Sequence, residues 1–182
     1  ATSVGVPLQN LNEPAVFVIK KQSNTLKNLL EWLREHSAHG GGASVDAPML
    51  LIDDEAAVRE PLVMLAEALG HRAACHASAE SFLRDADLDS AGCVVTDVRM
   101  PGMSGLELLR ALSARAPGLP VIMITGHGEV AMAVEALKAG AVDFIEKPFD
   151  DATFQAAVGA AMVRRARLIA ERRDLAALRA KA

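Results

Sequence analysis

Four apolar runs in this 182-residue chain each end on a polar group: MLLIDDE at 49–55, CVVTDVRMPG at 93–102, VIMITGHG at 121–128 and VDFIEKPF at 142–149. Uninterrupted apolar runs of this length, without polar alternation, belong to strands buried on both faces, as in parallel sheets covered by helices. Parallel strands bring their carboxyl ends to one side of the sheet. Asp53, Asp54, Asp97, Thr125 and Lys147 would then meet in one crevice holding three carboxylates, a hydroxyl and an ammonium.

The rest of the chain agrees with that arrangement. Strands are expected at 49–53, about 72–75, 93–97, 120–124 and 142–145. Helical periodicity covers about 55–69, 78–86, 104–115 and 128–139, and a last helix starts near Asp151. Strands separated by single helices specify right-handed crossovers, so the expected fold class is α/β, a five-stranded doubly wound parallel sheet. Gly70 and Gly140 end the first and fourth helices, and Pro117-Gly118-Leu119-Pro120 stops the third. Pro61 falls inside the first helical pattern and predicts a kink or a loosened turn there. With 51% apolar residues, the chain can bury a substantial core.

Both ends differ from this middle. Residues 1–45 read as an extension: irregular to Pro14, a short apolar run at 15–19, then an amphipathic helix marked by Leu26, Leu29, Leu30 and Leu33 with Trp32 beside them. Gly40 to Gly42 form a flexible linker or a fusion scar, and the domain boundary is expected near residues 44–46. A domain over 46–163 follows, and 164–182 form a basic helical linker. That segment carries seven Lys/Arg against Glu171 and Asp174, so of the formal net charge of −4 the remainder holds −9. An acidic body argues against a nucleic-acid-binding core. Leu168, Leu175 and Leu178 recur at coiled-coil spacing, yet Glu171 falls on the same seam, so a partner helix and a solvated helix both remain open. Cys75 and Cys93 lie in apolar runs without metal-ligand spacing and read as reduced core residues. No run reaches the length of a membrane span and no basic-then-apolar leader opens the chain, so a cytoplasmic protein is expected.

The polar cluster has a chemistry. One of Asp53 and Asp54, taken alone, would be an ordinary helix cap. Asp97 is different, because it is followed by Arg99-Met100-Pro101-Gly102, a loop with no cap to make. Three carboxylates in a crevice repel one another unless a cation neutralises them, and magnesium suits such a set because it needs only one or two carboxylates beside other oxygens. Lys147 suits one phosphoryl oxygen and Thr125 a second, which leaves Asp97 as nucleophile toward phosphorus.

On these residues, 48–163 resembles the receiver domain of a two-component response regulator: DD at 53–54, TDVRMPGMSG at 96–105, MITGHG at 123–128 and FIEKPF at 144–149. The stretch AMAVEALKAGAVDFIEKPF at 131–149 most resembles the receivers of nitrogen-fixation-type transcriptional regulators, with the enhancer-binding class near. The resemblance implies a flavodoxin-like fold and a phosphoryl group passed to Asp97 from the phosphohistidine of a sensor kinase. It implies Mg²⁺ on Asp54, Asp97 and the backbone carbonyl of Arg99, with Asp53 orienting a metal-bound water. Thr125 and Lys147 would bind phosphoryl oxygens, and the Lys147–Pro148 bond would be cis. Thr125 would move toward the phosphoryl group and let the aromatic on the fifth strand, Phe144, rotate inward. The chain has no tyrosine, so that coupling would rest on packing. Dimerisation would use 128–163 and the C-terminal helix, while Arg99 and His127 would tune the phosphoryl lifetime.

The function expected is therefore a phosphorylation-controlled switch, the regulatory part of a transcription factor, without nucleic-acid binding by this segment. One alternative is a standalone relay or interaction receiver. The other is a metal-dependent aspartyl-phosphate phosphatase. Such an enzyme needs an acid two residues beyond its nucleophile, and that position here is Arg99.

Overall fold

The computed structural model describes residues 47–126 and 130–181; the expected strand at 15–19, the Leu26–Leu33 helix and His127 lie outside them. Among the described residues five strands alternate with five helices: β1 (Met49–Ile52), α1 (Ala56–Ala68), β2 (Ala73–His76), α2 (Ala79–Asp85), β3 (Cys93–Asp97), α3 (Gly105–Arg115), β4 (Val121–Thr125), α4 (Val130–Lys138), β5 (Asp143–Glu146) and α5 (Asp151–Ala180). All pairings are parallel and the order is β2-β1-β3-β4-β5. The expected doubly wound sheet is the observed one, with each boundary within about two residues of its expected place, the ordinary scatter of helix and strand ends.

Successive side chains of the central strands enter two cores. Leu50, Ile52, Val94, Val121 and Met123 join Phe82 of α2 and Leu108, Leu109 and Leu112 of α3 on one face. Met49, Leu51, Val95, Ile122, Ile124 and Ile145 join Leu62 and Ala66 of α1 and Phe154, Val158 and Ala161 of α5 on the other. Burial of both faces is why these strands read as continuous apolar runs. Gly70 and Gly140 take positive φ, +83° and +106°, at the ends of α1 and α4, where a side chain would be strained. Pro61 sits within α1, which continues through it; the lost N–H deprives the Ala57 carbonyl of its partner.

One expectation fails. Cys93 is buried, and burial pushes its thiol up to about 12, but Cys75 is exposed. The reason is topological: β2 has a neighbour on one side only, so the apolar run around Cys75 forms a sheet edge rather than a core strand. Both thiols are free, as expected.

The last helix is far longer than a crossover needs. It spans 30 residues, about 45 Å at the α-helical rise. Its first half packs on the sheet, and from Glu171 to Ala180 every residue is exposed. Arg165 is buried and donates to the carbonyls of Ala91 (3.1 Å), Leu88 and Asp89 (both 3.3 Å). About two turns further on, Arg172 donates to the Pro117 carbonyl at 2.7 Å. Two of the seven basic residues of this segment thus hold the helix to the body.

Candidate functional site

The strand order reverses at β1 and β3: from β1 the chain passes to one neighbour through α1 and to the other side through α2. Such a switch point leaves a crevice beyond the carboxyl ends of those two strands. Asp53 follows β1 there and Asp97 is the last residue of β3. Thr125 ends β4, and Lys147 stands one residue past β5, its N–H donating to the Thr125 carbonyl at 2.8 Å.

Lys147 gathers the acids. Its Nζ donates to Asp97 Oδ2 at 2.7 Å and to Asp53 Oδ2 at 3.3 Å. The remaining carboxylate oxygens are held by the backbone: Asp53 Oδ1 accepts from the Glu55 N–H at 2.9 Å and Asp97 Oδ1 from the Arg99 N–H at 2.8 Å. Arg59 of α1 reaches back to donate to the Asp53 carbonyl at 2.6 Å. The cap position of α1 is Glu55, so Asp53 and Asp54 are not the helix caps that a local reading allows. Asp53 is 3% exposed. Burial raises its carboxyl above the ordinary aspartate range, and the Asp97 charge pushes the same way against the Glu55 N–H and the Lys147 ammonium. Burial alone would lower Lys147; its hydrogen bond to Asp97 and the charges of Asp97 and Asp53 outweigh that and raise it. The ammonium is therefore fixed in its charged form.

The other expected residues are placed as follows. Thr125 is buried, and its hydroxyl donates to the Gly126 carbonyl at a long 3.4 Å. Asp54 is exposed beside the pair, and Arg99 is exposed with its backbone tied to Asp97. Phe144 is half-buried on β5, opposite Met123 in the register, and packs on the core that contains α3. The Lys147–Pro148 peptide is cis, as expected.

Among the described residues no group of three His, Cys, Asp or Glu side chains is arranged to hold a metal by itself. The donors present are nonetheless all hard oxygens: two carboxylates at one crevice, a third exposed beside them and the Arg99 carbonyl on the adjoining loop. That chemistry fits Mg²⁺, which retains several waters and takes few protein ligands.

Sequence reasoning missed two supports of this site. Gly105 opens α3 hard against the end of β3, where a Cβ would run into the Asp97 carbonyl oxygen. Glu80 of α2 accepts the Met103 N–H in the loop after β3. Gly105 closes the TDVRMPGMSG motif, but its role there, like that of Glu80, depends on which element the fold lays beside it.

A parallel sheet with this strand order and an acid pair bridged by lysine at its switch point defines a class. The model of the response regulator receiver domain matches residues 49–159, and the chain belongs to that family. Among its relatives, the transcriptional regulatory protein FixJ of Azorhizobium caulinodans is 55% identical over 119 residues, 65% of this chain and 56% of that protein. FixJ of Rhizobium meliloti is 53% identical over 106 residues, 58% and 52% of the two chains. The C4-dicarboxylate transport transcriptional regulatory protein DctD of Rhizobium meliloti is 44% identical over 128 residues, 70% of this chain and 27% of DctD. The chain thus spans about half the length of the FixJ proteins it matches. The crystal structure of FixJ-N superposes with a TM-score of 0.59 at 46% identity, covering 65% of this chain and 95% of that one. Full-length FixJ from B. japonicum gives 0.61 at 40%, covering 70% and 63%. Receiver-bearing response regulators are regulators rather than turnover enzymes.

Proposed function

We propose that this chain is the phosphorylation-controlled switch of a transcriptional regulator, with Asp97 the acceptor of a phosphoryl group carried on the histidine of a sensor kinase. The observation that carries the proposal is the Lys147 ammonium at 2.7 Å from Asp97 Oδ2 and within reach of Asp53. A carboxylate held by a backbone N–H on one oxygen and facing an ammonium with the other is oriented for in-line attack. The acyl-phosphate O–P bond forms as the N–P bond to histidine breaks, and the electron pair leaves with the imidazole nitrogen. Lys147 then follows the charge from the carboxylate to a phosphoryl oxygen, and the hydroxyl of Thr125, at the end of β4, serves a second. Mg²⁺, when bound through Asp54, Asp97, the Arg99 carbonyl and Asp53 or its water, supplies neutralising charge for the third.

Thr125 and Phe144 carry the readout in this proposal. Withdrawal of the Thr125 side chain toward the phosphoryl group frees space at β4, and the half-buried Phe144 ring on β5 turns into it. The surface so altered is 128–163, where exposed Val134 and Leu137 of α4 suit a second copy of this chain. Residues 46–163 form the receiver in this reading, 1–45 an extension, and 164–182 a linker that continues α5 without a break and adds to the dimer contact. Kinase and receiver meet in the cytoplasm; no helix among the described residues is long and apolar enough to cross a membrane.

The test is intact mass after incubation with Mg²⁺ and a small phosphodonor, beside Asp97→Asn, with light scattering on the same samples. One added phosphoryl group in the wild type alone, with growth in particle mass, is the expected result. An equal gain in Asp97→Asn would remove Asp97 from its role.

A further inference from the structure

The loop from Val98 to Ser104 lies between the acceptor and α3 and carries the Arg99 carbonyl. Its two ends are fixed from within. Arg99 donates to Asp97 Oδ1 at the start, and at the finish the Gly105 N–H donates to the Val98 carbonyl at 3.0 Å while Ser104 and Glu107 form a capping box. In the middle the support comes from another element. Glu80, in the first turn of α2, places Oε1 2.8 Å from the Met103 nitrogen and accepts its N–H. Gly102, at φ +75°, makes room for it, since a Cβ there would lie 2.5 Å from the same oxygen. The first turn of α2 is itself anchored: Ser78 caps it by accepting the Ser81 N–H, and Ala79 and Phe82 are fully buried. The Met103 N–H holds the Glu80 carboxyl below its ordinary range, so the acceptor is an anion and the bond is charge-assisted.

We propose that Glu80 is a positioning residue for the magnesium site: its grip on Met103 sets the loop so that the Arg99 carbonyl stands ready as a ligand. This rests on the receiver reading above. A metal that takes only one or two carboxylates depends on each carbonyl ligand being held in place, because a mobile loop must be ordered at the cost of binding free energy. Partners bonded directly to metal ligands typically change affinity by about 10- to 100-fold when removed, and Glu80, which acts through the backbone from Met103 to Arg99, is expected at the low end of that range.

The test is Mg²⁺ titration of the wild type, Glu80→Ala and Glu80→Gln, followed by the backbone amide resonances of Arg99 and Met103. Thermal melts and phosphodonor incubation are run on the same proteins. Glu80→Ala is expected to bind Mg²⁺ about tenfold more weakly, with its melting midpoint and its phosphorylation rate at saturating Mg²⁺ nearly unchanged. Glu80→Gln keeps an oxygen that accepts the Met103 N–H and is expected within about threefold of the wild type. Affinity of Glu80→Ala within about twofold of a wild type that binds Mg²⁺ overturns this inference alone, as does a Glu80→Gln variant as weak as Glu80→Ala. A wild type that neither binds Mg²⁺ nor takes a phosphoryl group overturns the proposed function and this inference with it.

Discussion

Asp53 is a residue whose folded environment works against its charge. Its pKa is raised, so the fold favours the protonated acid: its contribution to stability is greatest below the ordinary value of 3.8 and is lost as pH rises through the elevated value. At neutral pH and without metal the ionised carboxylate therefore costs stability. Asp53→Asn keeps an oxygen for the Glu55 N–H and should raise the unfolding free energy at pH 7 by about 1 kcal/mol, a gain that vanishes in urea melts below pH 4. An equal gain at both pH values would place its origin in packing rather than charge. Gly105 presents the opposite case, a residue wanted for what it lacks. Gly105→Ala would press a methyl on the Asp97 carbonyl and should destabilise by about 2 kcal/mol, read from denaturant unfolding, and slow phosphorylation as well. The acids, Thr125 and Lys147 were legible because each closes an apolar run. Glu80 was not, since its partner Met103 is 23 residues away and on another element.

Among the elements, α3 and α5 show most clearly how local chemistry and packing divide the labour. The start of α3 is written locally: Ser104 accepts the Glu107 N–H and Glu107 returns to the Ser104 N–H at 2.8 Å. Ser104→Ala should lower stability by about 1 kcal/mol in thermal or urea melts. The course of α5 is not local. Its composition reads as a basic helix leaving the body, but Arg165 is buried and serves three carbonyls of the segment before β3. Arg165→Met removes their donor, and denaturant unfolding should show a loss of about 2 kcal/mol. Leu175 and Leu178 are exposed, 55% and 65%, which leaves a solvated helix and a helix awaiting its partner as the two readings the sequence already held.

For the molecule as a whole, the two cores among the described residues lie within Met49 to Met162, so the segment from Glu171 onward, exposed throughout and tied to the body through the Arg172 bond to the Pro117 carbonyl, adds little to its stability. Truncation after Ala170 should shift the melting midpoint by no more than about 2 °C. On the dimerising reading, the same truncation reduces the particle mass reached by the phosphorylated chain in light scattering; an unchanged mass would confine the contact to 128–163. Charge is divided in the same sense, with an acidic receiver and a basic end.

The sequence by itself determined the order of elements, the parallel sheet and the cluster of acids, hydroxyl and lysine at the strand ends, because strands buried on both faces must be apolar and only their ends can carry polar groups. The ends of α1 and α4 were equally plain, since a glycine at positive φ is a local requirement. Tertiary structure alone decided that the run around Cys75 is an edge, that Arg165 faces inward, and that Glu80 and Gly105 shape the loop beside Asp97. Each of these depends on which surfaces meet across the chain, and periodicity along a sequence carries no record of what lies opposite.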